Sequence, residues 1–160
     1  MDEKPTQHSA EVVIFDLEDQ RYAIPTATVV EIVRAVTVTR LPKAPLIVMG
    51  VIDFRGTIIP VLNIRERFLR SSKEVELQDH FIIAWAGDRM AALQVDRAVA
   101  FTRIQDEDVQ ETKRIAPAAE YIEGVARLSD GLVLIHNLKA FLSEAESTML
   151  AESLAAREGA

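Results

Sequence analysis

Two stretches of the chain carry the same order of apolar and polar positions at a constant offset of 74 residues. The first runs from Gly50 through Val51, Ile58, Ile59 and Asn63 to Ile64, and the second from Gly124 through Val125, Leu132, Val133 and Asn137 to Leu138. Each is an apolar run, a short polar turn and a second apolar run, the form of a β-hairpin. A second kind of hairpin precedes each of these. Residues 11–17 and 21–25 are β-favouring and flank Glu18-Asp19-Gln20, while residues 81–86 and 90–95 flank Gly87-Asp88-Arg89, where the glycine supplies the positive φ of a tight turn. The chain is therefore read as an internal duplication, each half running hairpin, connection, hairpin. Two copies are too few for a solenoid and predict two related lobes packed on each other.

The halves fall at about residues 11–70 and 80–142, with the polar stretch 71–79 as the joint and a polar tail over 1–10. Residues 26–33 fit a short helix or an extended edge, and their periodicity does not choose between them. Beyond Asn137, the residues Leu138, Phe141, Leu142, Ala145 and Met149 fall at three- and four-residue spacing, which predicts a C-terminal helix packed back on the lobes, with 143–160 its remainder and a frayed end. Short strands with regular turn signals otherwise predict a mainly all-β domain of two small closed sheets, which leaves few free strand edges.

Composition narrows the function. A length of 160 residues, 49% of them hydrophobic, suffices for one compact domain. A net charge of −7 argues against binding a phosphate backbone, so nucleic acid is not an expected partner. There are no cysteines, hence no disulfides and no thiolate metal site. The polar start lacks the apolar stretch of a signal peptide, and charges interrupt every run before membrane-spanning length, which predicts a soluble cytoplasmic protein without direct membrane insertion.

No catalytic constellation stands out. The three histidines, His8, His80 and His136, have no ligand-like spacing, and His136 lies in an apolar strand. The acidic trio Asp106-Glu107-Asp108 lacks the alternating ligands and glycine of a calcium loop and reads as a solvated loop. Nucleophile elbows, phosphate-cradling glycine loops and dinucleotide fingerprints are missing, and the six glycines fall mostly where hairpins turn. Neither a metal nor a cofactor is expected, and the chain is not read as an enzyme.

Three segments carry a family resemblance: Val30-Glu31-Ile32-Val33, Val38-Thr39-Arg40-Leu41-Pro42, and the run from Gly50 to Arg65. Together they resemble the CheW chemotaxis coupling proteins, whose pattern here is close to G-V-x-N-L-R-G-x-I-x-P-V-x-D-L-R. The glycines, arginines and proline match, while Asp53 and Asn63 stand where the family has Asn and Asp. The resemblance covers about residues 11–142. It implies two intertwined five-stranded SH3-like β-barrel subdomains. It also implies a non-catalytic adaptor joining the cytoplasmic tip of a chemoreceptor to the histidine kinase CheA, at membrane-associated arrays. A kinase regulatory domain would dock barrel end to barrel end, through residues the sequence does not single out. A receptor helical hairpin would lie in a groove between the lobes, implicating Val29, Glu31, Arg55 and Gly56.

The residues read by themselves add detail. Arg55 at a hairpin tip can meet a carboxylate bidentately, though most turn arginines touch only water. Gly56 serves the turn. Val29 and Ile32 fit either an exposed pair beside a groove or burial in the lobe, and Glu31 either pairs with a partner's arginine or is merely solvated. Two other functions fit the same lobes: a structural or coupling subunit of a related chemosensory pathway, such as twitching motility or surface sensing, and a small-molecule-binding domain.

Overall fold

The computed structural model describes residues 9–68, 74–105, 108–111, 122–128, 131–136 and 144–158. The expectations placed on Ser71, Asp106, Glu107, Asn137, Leu138, Phe141 and Leu142 lie outside these residues. The first hairpin is β1 (Ser9–Leu17) and β2 (Gln20–Pro25), turning at Glu18-Asp19. The undecided stretch resolves into one 3-10 turn over Thr26–Thr28 followed by an extended β3 (Val29–Arg34). The hairpin β4 (Val48–Phe54) and β5 (Thr57–Leu62) leads into a single helical turn α1 (Arg65–Phe68). The second half supplies β6 (His80–Ala86), β7 (Arg89–Val95), β8 (Arg97–Gln105), a short β9 (Val109–Glu111), β10 (Ile122–Leu128), β11 (Gly131–His136) and the terminal helix α2 (Glu144–Glu158).

The duplication holds in the hydrogen-bond register. Val51 faces Pro60 in β4–β5, and Val125 faces Leu134 in β10–β11, each 74 residues on; both hairpins also carry a bulge at the same place, Val48/Gly50 and Ile122/Gly124. The earlier strands repeat at an offset of 69: Ile14 faces Ala23 and Ile83 faces Ala92. A bulge again recurs, between Val29 and Glu31 against β6 and between Ile14 and Phe15 against β8. The five-residue difference falls in the link between the third strand and the last hairpin.

The halves do not each form a lobe. One sheet has the order β8-β1-β2-β11-β10-β9 and the other β3-β6-β7-β5-β4, so each lobe takes its first hairpin from the opposite half of the chain. The intertwining that the family resemblance implies is thus an exchange of β1–β2 for β6–β7. The physical reason lies in the exchanged strands, which bury both faces. Val12 and Ile14 of β1 pack within the six-stranded lobe, and Phe81 and Ile83 of β6 within the five-stranded one. Their alternate neighbours Val13, Phe15 and Leu17, with Ile82 and Ala84, share one core between the lobes. Leu150 and Leu154 of α2 reach that same core, whereas Met149, expected on the inner stripe, is exposed.

Both sheets close on themselves through the chain that follows the third strand. After β3, Thr39 and Val51 exchange backbone hydrogen bonds of 2.9 and 2.8 Å, joining the β3 side of the sheet to β4. In the other lobe β9 does the same for β10, pairing Gln110 with Val125, so the sixth strand is a longer version of the same closure. The contact explains Gly50, which lies in a strand and not in a turn. A Cβ there would sit 2.2 Å from the Thr39 carbonyl oxygen.

A charge cluster with a buried arginine spans the two lobes. Arg65, just after β5, is fully buried and pairs with Asp96, the residue between β7 and β8. Asp96 in turn accepts the Glu18 amide at 2.7 Å from the β1–β2 turn and donates its own amide to the Asp16 carbonyl at 3.0 Å. Tyr22, buried and stacked on Phe15, lies beside this cluster, and its phenol is pushed above the ordinary value of 10.0 by burial and by Glu18, with Arg65 opposing.

Two outcomes follow from these packing relations. Gly50→Ala is expected to destabilise the protein by about 2–4 kcal/mol in urea unfolding, because the intruding methyl meets backbone that cannot move without opening the sheet. Tyrosine absorbance during alkaline titration should show a phase above pH 10.0 that Tyr22→Phe abolishes. An acid whose folded pKa is raised holds its proton longer in the native state. Stability should therefore be unaffected by Tyr22 below the unfolded tyrosine pKa and fall as pH rises through the folded one.

Candidate functional site

Of the four residues implicated, Arg55 and Gly56 form the β4–β5 turn. Both have positive φ, 51° and 86°, as a two-residue I′-type connection demands. Glycine adopts this at no cost, whereas arginine pays about 1 kcal/mol. The turn is held by the Asp53 carboxylate, whose Oδ1 accepts the Gly56 amide at 2.8 Å. An Asn at this position would offer the same acceptor, so the exchange of Asn for Asp conserves the interaction.

Arg55 is more than a solvated turn residue. Its guanidinium lies over the Phe54 ring at 4.9 Å and forms an ion pair with Glu31. Glu31 is on β3 and Arg55 follows β4, strands at opposite ends of the sheet order. The Thr39–Val51 closure is what brings these two together. The arginine side chain remains 68% exposed, so its outer face is free to meet a partner while the ion pair fixes its direction.

The same strand answers the question left open for Val29 and Ile32. Both are half-buried and pack against the inter-lobe core, so they belong to the lobe. The exposed apolar side chain of this segment is Val30, the extra residue of the bulge between Val29 and Glu31. Sequence reasoning could not find it, because a bulge interrupts the alternation of faces on which such reasoning depends. All four implicated residues lie on the five-stranded lobe.

Other exposed apolar groups cluster at the turn end of that lobe. Ile58 and Trp85, with Met90 and Pro60, border a depression of about 510 Å³ rimmed by Asp88 and Arg89. On the other lobe the exposed Leu132 occupies the position equivalent to Ile58, facing Arg127 as Ile58 faces Asp53. Among the described residues, neither location combines the nucleophile, base and oxyanion donors that catalysis needs.

Against this geometry the comparisons with known proteins are decisive. The pattern of the CheW-like domain matches residues 11–146. The chain belongs to the CheW-like domain family. It is 30% identical over 147 residues to the chemotaxis protein CheW of Treponema pallidum, covering 88% of this chain and 86% of that one. The scaffolding protein TtCheW from Thermoanaerobacter tengcongensis has the same fold, with a TM-score of 0.78 at 24% identity over 87% of this chain and 96% of that one. A match of a different kind is the chemotaxis protein CheA of Bacillus subtilis, 26% identical over 77% of this chain but only 17% of that protein, so a CheW-like unit also occurs as one part of a larger chain.

The role given to Asp53 in this family's hairpin turn is open to a direct check. Asp53→Ala should cost about 1 kcal/mol in chemical unfolding by releasing the turn amide, while Asp53→Asn should stay within about 0.5 kcal/mol of the parent.

Proposed function

We propose that this CheW-like chain is a non-catalytic adaptor of a chemotaxis signalling system, coupling a chemoreceptor to a CheA-type histidine kinase at receptor arrays. Family membership over nearly the whole length is the observation that carries this reading. No described helix is long and apolar enough to cross a membrane, so attachment to arrays would come from the protein partners.

The receptor's cytoplasmic hairpin would seat against the corner built by Glu31, Arg55 and Gly56, with exposed Val30 as its apolar neighbour and Val29 supporting the strand from below. A preoriented guanidinium suits this task, since it loses little freedom when it meets a carboxylate on the partner. The kinase's regulatory domain would dock at a lobe end, where Ile58 and Trp85 offer exposed apolar surface. The occurrence of a related unit within CheA favours like docking with like. Signal would pass because receptor and kinase states differ in their contacts with the adaptor, which shifts populations without chemistry.

The test is size-exclusion binding of the purified protein to a chemoreceptor cytoplasmic hairpin and to a CheA regulatory domain. Arg55→Glu should lose the receptor and keep the kinase domain. Its stability should change by no more than about 1 kcal/mol, because an exposed ion pair contributes little. Combining it with Glu31→Arg rebuilds an ion pair with the charges reversed; receptor binding should stay lost if Arg55 itself contacts the receptor. Wild-type affinity for the receptor in Arg55→Glu would sink the assignment of this corner.

A further inference from the structure

Arg65 is the largest fully buried side chain in the described structure, and it carries a charge. It stands at the end of the β4–β5 hairpin of the five-stranded lobe. Its Nη2 donates to Asp96, the one residue separating β7 of that lobe from β8 of the other. Its Nη1 lies 3.6 Å from the carboxylate of Glu18, in the β1–β2 turn of the six-stranded lobe. The second oxygen of Asp96 accepts the Glu18 amide, so a single carboxylate holds a side chain from one lobe and backbone from the other. Among the described residues, Nε and Nη1 of Arg65 have no hydrogen-bond acceptor.

Such an arrangement is a poor source of stability. Burying a guanidinium costs several kcal/mol in lost hydration, and two donors left unmatched recover little of it. An apolar side chain of similar volume would serve packing better. The cluster does supply direction. The inter-lobe core around it is built of Leu, Ile, Val and Ala with Phe15 and Tyr22, and apolar contact is indifferent to small rotations. A charge pair reaching across the crossover point is not.

From this geometry we infer that Arg65, Asp96 and Glu18 form a latch that fixes the angle between the two lobes. Arg65 is a positioning residue that touches no partner. If the receptor hairpin seated at the Glu31–Arg55 corner, as proposed above, also reaches across to the six-stranded lobe, releasing the latch weakens that contact, while docking at the end of one lobe is spared.

The absence of native cysteines makes the angle measurable. Asp88→Cys on the five-stranded lobe and Arg127→Cys on the six-stranded lobe are both exposed positions for spin labels. Pulsed electron resonance then reads the inter-lobe distance in the full chain. Arg65→Met should broaden or shift that distribution while amide shifts inside each lobe's own core stay in place, and Arg65→Lys should restore part of it. Asp96→Asn, which keeps the shape and the acceptor for Glu18, should broaden it as well and serves if Arg65→Met does not fold. Measured without the cysteine substitutions and labels, receptor affinity should fall about tenfold in the Arg65 and Asp96 variants, with kinase-domain affinity unchanged. A distribution as narrow as wild type in folded variants, with only the melting temperature lowered, overturns the latch. A broadened distribution with receptor binding intact upholds the latch and confines the receptor contact to the five-stranded lobe.

Discussion

The architecture rests on two hairpins that must bury both of their faces. A strand with one wet face can sit at the surface of a single small sheet. β1 and β6 cannot, because Val12-Val13-Ile14-Phe15 and Phe81-Ile82-Ile83-Ala84 are apolar at every position and almost wholly buried. Each strand therefore needs a lobe on one side and a second lobe on the other. Exchange of the hairpins provides this: every odd or even set of side chains finds its own core, and the third core between them welds the lobes together. The helix α2 joins the same core, with Leu150 fully buried in it and Leu154 packed against it.

Closure of the sheets turns this frame into a binding surface. The Thr39–Val51 bridge makes neighbours of β3 and the β4–β5 turn, which the sheet order alone would place apart. Glu31 then holds Arg55 in a left-handed backbone conformation that arginine does not choose freely. The strain is local, offset by the Asp53 cap and the contact with Phe54, and it orients a charge outward at a defined angle.

Much of this was legible in the chain. The turns at Glu18 and Gly87, the repeated hairpin and the two-lobe plan could be read because turn chemistry and period-2 patterning are local properties. The exchange of hairpins could not be read from propensity, although the unbroken apolar runs in β1 and β6 are its trace. Val30 was hidden by a bulge. The reason for Gly50 was hidden too, because spacing alone does not show that another strand's carbonyl passes within 2.2 Å of its missing methyl. Arg65 closes the Gly50–Arg65 motif, and only the meeting of β5, β7 and the β1–β2 turn in space shows it to be buried.

The exchanged topology also governs how the chain can fold during synthesis. Strand β2 finds its parallel neighbour in β11, pairing Tyr22 with Leu134, and β1 pairs with β8. The six-stranded lobe cannot be completed until β11, the last strand, has left the ribosome, and the five-stranded lobe must wait for β6 and β7. Contacts so distant along the chain make folding slow and nearly all-or-none. For most of translation the nascent β1–β2 hairpin holds two apolar faces with no partner, the condition in which chaperones engage a chain or aggregation begins. A truncated product of this gene would thus carry its stickiest segment without either lobe to cover it.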